Sequence, residues 1–387
     1  MFSDDSVNMP LLRRWSHNLR WAEVPEGVIP LTAADPDFPC APAIREALSR
    51  YITDGQFSYG PAAGLRSFRE ALSKFYQERR KLAVPGDRIL PTDSAAFGLE
   101  LVCRAVLSPG DEVIIFDPVD FLFRHCTERN GGVAVSFPTP QGFRLEADAL
   151  QKLITPRTRM ICLCNPLNPT GKVFRADELR LIARIAVENN LLILSDEIWS
   201  DIIFAPHVYT SIASLDEEIA RRTFTVTGFS KSYGLAALRI GAVLCPDDDW
   251  YNKILECSRH SFTVHGVNTV GQVAAQAALE GGQEWLGEFL QHLTRMRDLT
   301  VAGLNAIPGF SCIPPEGCYL AFADIRQTGK SSEAVHRLLM EEAKVAVVPG
   351  LPKWFGQGAD GYIRISFATS ESILKEALDR ISRQFTL

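Results

Sequence analysis

Lys231 is the residue in this sequence whose position points most directly to chemistry. It follows the run from Thr223 to Thr227, whose β-branched and aromatic residues are typical of a buried strand. Burial at the end of such a strand lowers the pKa of a lysine, and the neutral amine is a nucleophile that can form a Schiff base with a carbonyl carbon. Because most lysines are solvated surface charges, this interpretation depends on the residues that accompany Lys231.

Two further charged residues are associated with apolar runs. Asp196 ends the run from Leu191 to Ser195, where an ionised carboxylate needs a cation or a strong hydrogen-bond donor. By itself, Asp196 could equally cap a helix or a turn. Arg364 lies within the run from Tyr362 to Phe367, and its planar guanidinium fits a carboxylate through two hydrogen bonds. Taken alone, Arg364 could equally form a structural ion pair.

Two loops carry groups that can orient a ligand. Asn168 lies in the segment 165–171, where two X-Pro steps and a glycine indicate a rigid loop, although a simple structural turn fits the same residues. Ser94 and Ala95 precede a predicted helix, and the amides at a helix N-terminus suit an anion such as phosphate. Ser94 can also act as a simple N-cap, and the two roles are compatible.

The elements that must position these residues alternate between apolar runs and amphipathic stretches. Apolar spacing from Ala176 to Asn189 predicts a helix. The apolar runs are continuous, as in strands buried on both faces, and predict a mostly parallel sheet in an αβα sandwich of the α/β class. The active site is then expected at the carboxyl ends of the strands. The runs lie at 111–116, 132–137, 159–163, 191–195, 223–227 and 240–245.

The pattern changes beyond a long helix predicted at 284–306. Strands at 319–325, 345–348 and 362–367, together with helices at 331–343 and 370–385, predict a small α+β unit. The sequence therefore predicts three parts: an N-terminal arm over residues 1–40, a large domain over 41–283, and a C-terminal domain over 284–387 that includes the bridging helix.

The composition excludes several classes of protein. The chain has 387 residues, 46% of them hydrophobic, and a net charge of -6, so it lacks the basic footprint of a nucleic-acid-binding protein. No apolar run has the length of a membrane span, and the acidic N-terminus differs from a signal peptide. The nine cysteines lack paired spacing, and the seven histidines form no metal-binding motif. We therefore expect a cytoplasmic protein without a metal and without a membrane or nucleic-acid partner.

Seven residues of the chain follow the order found in one enzyme superfamily. Around them, the segments 165–171, 195–201 and 230–234 resemble the pyridoxal-phosphate (PLP) dependent aminotransferase class I/II superfamily, which has fold type I. The resemblance covers nearly the whole chain, and the segment 31–39 is similar to the cystathionine β-lyase-like branch. The seven residues are Tyr59, Ser94, Asn168, Asp196, Lys231, Arg239 and Arg364.

The resemblance implies PLP as the cofactor, an α-amino acid as the substrate, and a homodimer in which Tyr59 reaches the phosphate of the neighbouring subunit. Lys231 is the implied catalytic residue, which forms the Schiff base with PLP and then removes the α-proton of the substrate. The implied cofactor-binding residues are Ser94, Ala95, Phe121, Asn168, Asp196, Trp199, Ser230, Lys231, Arg239 and Tyr59. The implied substrate-binding residues are Arg364, Asn168, Ala34 and Asp120.

Two positions depart from the pattern of the superfamily. Trp199 occupies a position where transaminases usually carry a tyrosine. Asp120 occupies the position of the aromatic residue that covers the cofactor ring, and Phe121 or Phe123 is expected to take over that role. An aminotransferase is therefore the first expectation, and a β- or γ-elimination lyase or a cyclase or dehydratase is the alternative. Asp120 could also bind the guanidinium of an arginine-like substrate.

Overall fold

The computed structural model describes residues 1–14 and 20–385. The predicted N-terminal arm includes residues 15–19, and the predicted C-terminal domain includes residues 386 and 387. These seven residues lie outside the described part of the chain.

The regular elements of the described residues are mostly short strands and longer helices. The strands are β1 (Ile29–Pro30), β2 (Ile89–Thr92), β3 (Glu112–Asp117), β4 (Val133–Pro138), β5 (Thr158–Cys164), β6 (Leu192–Asp196), β7 (Thr223–Gly228), β8 (Gly241–Leu244), β9 (Leu320–Asp324), β10 (Val345–Ala346), β11 (Val348–Pro349) and β12 (Tyr362–Ser366). The α-helices are α1 (Met9–Arg14), α2 (Pro42–Asp54), α3 (Arg66–Phe75), α4 (Ala95–Val106), α5 (Leu122–Arg129), α6 (Ala147–Gln151), α7 (Ala176–Glu188), α8 (Glu217–Ala220), α9 (Asp248–Ser258), α10 (Thr269–Gly281), α11 (Gln283–Asn305), α12 (Ser332–Leu338), α13 (Pro352–Phe355) and α14 (Glu371–Ser382).

The central sheet has seven strands in the order β2-β8-β7-β6-β5-β3-β4. Strand β8 pairs antiparallel with both of its neighbours, and the other pairs are parallel. The predicted mostly parallel sheet is therefore confirmed. Because β5, β6 and β7 are parallel, their carboxyl ends lie at one edge, and this edge carries the Asn168 loop, Asp196 and Lys231.

Both faces of the sheet are buried, as strand β8 illustrates. Ala242 and Leu244 belong to one hydrophobic cluster, which includes Phe68 of α3, whereas Val243 belongs to the other cluster, which includes Leu99 of α4. Successive side chains of a strand point to opposite faces, so helices cover the sheet on both sides. This arrangement explains why the strand sequences are continuously apolar.

Strand β4 is the exception to this rule. It lies at the edge of the sheet, and Val133 is 49% exposed. The expectation that this run is buried on both faces was therefore wrong, because only Phe137 of this strand is buried.

The C-terminal part contains a three-stranded antiparallel sheet in the order β11-β12-β9. The single strand predicted at 345–348 is divided in two, because β10 pairs with β1 of the N-terminal segment while β11 pairs with β12. The helix predicted at 331–343 ends at Leu338 and continues as a π turn over Leu339–Ala343. The predicted bridging helix corresponds to α11. The domain boundaries at residues 40 and 283 stay a prediction.

A glycine-rich segment of the C-terminal part forms hydrogen bonds with the end of β3. The Asp117 carboxylate accepts hydrogen bonds from the amides of Gln357 (3.2 Å) and Gly358 (2.8 Å). A Cβ atom at Gly356 would lie 2.5 Å from the same carboxylate, so only glycine allows this approach. The contact holds the loop after β3, which carries Asp120, next to the C-terminal sheet.

None of the helices in residues 1–14 and 20–385 is long and apolar enough to cross a membrane.

Candidate active site

Lys231 lies just beyond the carboxyl end of β7 and is half-buried. Its Nζ atom donates a hydrogen bond to the carbonyl oxygen of Ala34 (2.9 Å) and lies 5.4 Å from the centre of the Trp199 ring. Burial lowers the pKa of Lys231, whereas the carboxylates of Asp35 and Asp196 oppose that shift. The amine therefore deprotonates more easily than that of an ordinary surface lysine, as nucleophilic chemistry requires.

A buried ion pair fixes the segment that carries Ala34. Arg20 Nε donates to the carbonyl oxygen of Pro30 (3.0 Å), and its Nη2 atom lies 3.3 Å from the Asp37 carboxylate. Trp21 Nε1 donates to the other oxygen of Asp37 (2.7 Å). Because buried charges are stable only when they are paired, these contacts hold the segment 30–37 in one position over Lys231.

Tyr319 is a member of the site that sequence reasoning missed. Its hydroxyl donates to the carbonyl oxygen of Ala34 (3.0 Å), so it shares this acceptor with Lys231. Its ring packs edge-to-face against Trp199, with the ring centres 4.6 Å apart. Burial raises the pKa of Tyr319 well above its ordinary value, so the phenol stays protonated and acts as a donor. In the sequence it is only the first residue of a predicted strand, and nothing in the spacing distinguishes it from a core tyrosine.

Asp196 ends strand β6 with a buried carboxylate. The amide of Ile198 donates to one of its oxygens (3.1 Å), and no lysine or arginine of the described residues forms an ion pair with it. Burial raises the pKa of Asp196 to about 7. A buried carboxylate without a cationic partner fits the protonated ring nitrogen of a pyridine cofactor.

Asn168 connects Asp120 to Arg364. Its Oδ1 atom accepts a hydrogen bond from Arg364 Nη1 (3.1 Å), and its Nδ2 atom donates to Asp120 Oδ2 (2.9 Å). The other oxygen of Asp120 accepts from the amide of Leu122 (3.1 Å). Burial raises the pKa of Asp120, and the charge of Arg364 opposes that shift. The orientation of the Asn168 amide is therefore fixed from both sides.

Arg364 retains capacity to bind a ligand. Its Nη2 atom donates to the carbonyl oxygen of Thr32 (3.0 Å), and its guanidinium lies over the ring of Phe355 at 5.1 Å. Its Nε atom is buried and has no hydrogen-bond partner among the residues that the structure describes. Since buried donors are nearly always paired, this free N–H group indicates a ligand with an acceptor such as a carboxylate.

The N-terminus of α4 approaches strand β8 closely. The Ser94 hydroxyl oxygen accepts a hydrogen bond from the Phe97 amide (3.1 Å), which confirms the predicted N-cap. A Cβ atom at Gly241 would lie 2.6 Å from the amide nitrogen of Ala95, so glycine is required for this approach. Arg239, two residues earlier, has an exposed guanidinium that forms no hydrogen bond or ion pair within the described chain. Helix amides and an arginine side chain of this kind are both groups that fit a phosphate.

Lys231 and Arg239 line the same cavity, which has a volume of about 810 Å³. Its other walls come mostly from the N-terminal segment, including Asp35 and Phe38. This volume lies in the range of small-ligand sites. Ser230 is half-buried next to Lys231.

Three of the predicted site residues line this cavity, namely Ala34, Lys231 and Arg239. Phe121 lines a second cavity of about 200 Å³, where its ring lies 5.7 Å from that of Trp354, because α5 starts at the next residue and directs the ring toward α13. Phe123 is buried in the core next to the sheet. Neither Phe121 nor Phe123 lines the Lys231 cavity, and their role as a cover of the cofactor ring stays a prediction. Tyr59 is 91% exposed and lies next to His265, with ring centres 5.4 Å apart.

Comparison with known proteins identifies the family. A family model described as aminotransferase class I and II matches residues 26–381. The chain belongs to this family. The predicted superfamily, the fold type and the PLP cofactor are thereby confirmed, and the protein is a PLP-dependent aminotransferase.

Three similar proteins illustrate this aminotransferase family. An aspartate aminotransferase of Pyrococcus abyssi is 34% identical over 362 residues, which cover 92% of this chain and 91% of the relative. Aromatic-amino-acid aminotransferase 2 of Thermococcus litoralis is 34% identical over 364 residues, which cover 92% of each chain. A PLP-bound structure of a Clostridium difficile 630 protein has a TM-score of 0.90 and 27% identity, and covers 97% of this chain and 98% of that chain.

The pKa of Asp196 predicts how pH affects the PLP-stripped protein. Because this pKa is raised to about 7, the folded protein binds the proton more tightly than the unfolded chain does, and stability is lost as the pH rises from about 4 to about 7. We expect Asp196→Asn to stabilise the stripped protein by about 2 to 4 kcal/mol near pH 8, and by less than about 1 kcal/mol near pH 4. Urea unfolding measures both values.

The control for this experiment is Asp148→Asn, which removes an exposed carboxylate. If Asp196→Asn changed the free energy of unfolding equally at both pH values, the raised pKa of Asp196 would be contradicted. With PLP bound, the sign reverses, because the pairing with the ring nitrogen is lost and the variant binds PLP more weakly.

Proposed function

We propose that this aminotransferase acts on an α-amino acid whose α-carboxylate binds Arg364 while Lys231 transfers the α-proton. The observation that carries the proposal is the buried guanidinium of Arg364. It contacts Asn168 at 3.1 Å, keeps a free Nε–H group, and lies close enough to Lys231 to influence the pKa of the lysine. A binding group for the carboxylate and a proton carrier therefore lie close to one another.

Each residue has a distinct part in this chemistry. Bound PLP supplies a carbonyl carbon that receives the amino group and a ring that takes up the electrons of the broken bond. Asp196 keeps the ring nitrogen protonated, and Asn168 Nδ2 retains one hydrogen for the phenolic oxygen of the ring. The amides near Ser94 and Ala95 hold the phosphate, together with Ser230 and Arg239, which we assign to the same group.

Arg364 sets the orientation of the substrate. Its guanidinium binds the α-carboxylate through two hydrogen bonds, and the neighbouring carbonyl of Thr32 keeps the fork in place. With the carboxylate fixed, the Cα–H bond is directed toward Lys231, which acts as the general base. Lys231 would carry this proton on its Nζ atom, which the carbonyl oxygen of Ala34 holds in place. Tyr319 in turn donates a hydrogen bond to the same carbonyl oxygen.

Asp120 indicates the class of side chain that the substrate carries. Its carboxylate is linked to Arg364 through Asn168, and the charges of Arg364 and Lys231 both act on it. A second carboxylate on the substrate would be repelled at this position, whereas a neutral or cationic side chain would not. We therefore propose substrates without an acidic side chain, with an arginine-like amino acid as one such substrate.

Asp120→Asn tests this assignment of substrate class. In the wild type, we expect arginine and aromatic amino acids to exceed aspartate in kcat/KM for the first half-reaction, which is followed through the cofactor absorbance. The variant should shift the ratio of arginine to aspartate toward aspartate by about tenfold, because it removes one charge next to the substrate. Asp148→Asn serves as the control for net charge. An unchanged ratio would contradict the role of Asp120.

A lyase is the second candidate function, favoured by Trp199. This buried indole faces Lys231 and Tyr319, and it cannot titrate as the usual tyrosine does. The same assay separates the two reactions. An amine form of the cofactor that a keto acid reverses indicates transamination, as we propose. Release of a keto acid with ammonia, without that amine form, indicates elimination, and a cyclised product indicates a cyclase.

We also propose that the protein is a homodimer with shared active sites. The support comes from exposed apolar side chains in two neighbouring loops, where Tyr59 contacts His265. Tyr59 is 91% exposed, and a second copy of the chain packed on these loops would bury it. The other large exposed side chains of these loops are Phe57 (65%), Phe262 (78%) and Val264 (46%).

Subunit mixing tests the shared site. Lys231→Ala and Tyr59→Ala homodimers are each expected to have little activity. After the two variants are unfolded together and refolded, half of the dimers are hybrids, and each hybrid has one intact site, so about a quarter of wild-type activity is expected. A mixture that is no more active than the two variants separately would contradict the shared site. Lys231→Ala mixed with itself is the control.

A cytoplasmic location is the remaining part of this proposal. All nine cysteines are free thiols, and most of them are buried. Free thiols are typical of a reducing compartment, which supports this location.

A further inference from the structure

The residue after Lys231 forms a buried contact that the catalytic scheme does not use. Ser232 is 2% exposed, and its hydroxyl donates a hydrogen bond to Asp201 Oδ2 (2.8 Å). A serine hydroxyl in such a position restricts the backbone next to it. The position of Lys231 therefore depends directly on the position of the Asp201 carboxylate.

Asp201 is in turn held by a partly buried arginine. Its other oxygen forms an ion pair with Arg80, whose Nη2 atom also donates to the Ser200 hydroxyl (3.0 Å). The Arg80 guanidinium lies over the rings of Tyr209 (4.8 Å) and Phe75 (5.3 Å). The ion pair, the hydrogen bond and the two cation–π contacts restrict the rotation of this guanidinium. Arg80 therefore holds the Asp201 carboxylate in a defined position.

The same carboxylate belongs to the turn that forms one wall of the site. Asp201 follows Trp199 by two residues and Asp196 by five. Since the Trp199 ring lies 5.4 Å from Lys231 Nζ, a shift of Asp201 would change both the position of the lysine and the wall that faces it.

We propose that the Arg80–Asp201–Ser232 network is a positioning device for Lys231. It links the segment after α3, the turn after β6 and the loop after β7, which are far apart in the sequence. The network holds the amine at the distance from the cofactor and from the substrate Cα that proton transfer requires. None of the three residues contacts the reacting atoms, so each acts through Lys231. The proposal rests on the role of Lys231 proposed above.

Ser232→Ala is the most direct test, because it leaves the partly buried Arg80–Asp201 pair intact. We expect kcat to fall by about ten- to a hundredfold while KM changes by less than about threefold, because binding through Arg364 is unaffected. The rate at which PLP-stripped protein recombines with PLP should fall by a similar factor. The pH midpoint of the cofactor absorbance should also shift, which a loss of folded protein alone does not cause.

Ser73→Ala is the matched control, since it removes a hydroxyl that donates to the carbonyl oxygen of Val84 (2.6 Å), outside the Lys231 loop. The double variant Ser232→Ala/Asp201→Asn should be no worse than Asp201→Asn, because both changes break the same contact. If Asp201→Asn does not fold, Ser232→Ala decides alone. The proposal would be overturned if Ser232→Ala and Ser73→Ala had the same kcat, the same rate of recombination with PLP and the same pH midpoint of the cofactor absorbance.

Lys231→Ala separates this proposal from the proposed function. If Lys231→Ala still forms a covalent PLP adduct, the proposed function itself fails. If that adduct is lost while Ser232→Ala behaves like Ser73→Ala, only the positioning role of the network fails.

Discussion

The charged groups around Lys231 are held where water solvates them poorly, and their mutual pairing keeps the site together. Burial lowers the pKa of Lys231 and Arg364 and raises that of Asp196 and Asp120, so each group is driven toward its neutral form. Opposite charges and hydrogen bonds counteract that drive. In the proposed function, bound PLP would bring a phosphate for Arg239 and a ring cation for Asp196, so both charged side chains would then be paired.

The fold supplies the edge at which these groups meet. Three parallel strands end side by side, and the loops after them carry Asn168, Asp196 and Lys231. The C-terminal sheet adds Arg364 from β12, and the N-terminal segment covers the site with the carbonyl of Ala34. The active site therefore draws on segments from both ends of the chain, and it exists only when these parts are docked together.

Much of this arrangement is visible in the sequence, because buried strands are continuously apolar and functional groups follow them. This rule locates Asp196 and Lys231 correctly at the ends of β6 and β7. It fails where tertiary packing decides, as in the edge strand β4 and in the division of the predicted strand 345–348 between two sheets. Tyr319 was missed because its contact with Ala34 joins residues 285 positions apart, and no local pattern reports such a contact.

The departures at positions 120 and 199 acquire a physical meaning in the structure. Asp120 does not cover a ring but fixes the amide of Asn168 and adds negative charge next to Arg364. Trp199 packs against Tyr319, and that tyrosine brings a phenol to the same carbonyl that holds Lys231. The candidate site therefore combines Trp199 with a partly buried carboxylate at position 120, while Asp196, Lys231 and Arg364 lie at or near the strands where the sequence places them.

The central claim is that Lys231 is the residue to which PLP is attached. Borohydride reduction of the PLP-loaded protein, followed by proteolysis and mass spectrometry of the peptides, tests it most directly. The account predicts a single reduced PLP adduct on the peptide that contains Ser230-Lys231-Ser232, and no adduct in Lys231→Arg. An adduct on another lysine, or none in a protein that has bound PLP, would contradict it.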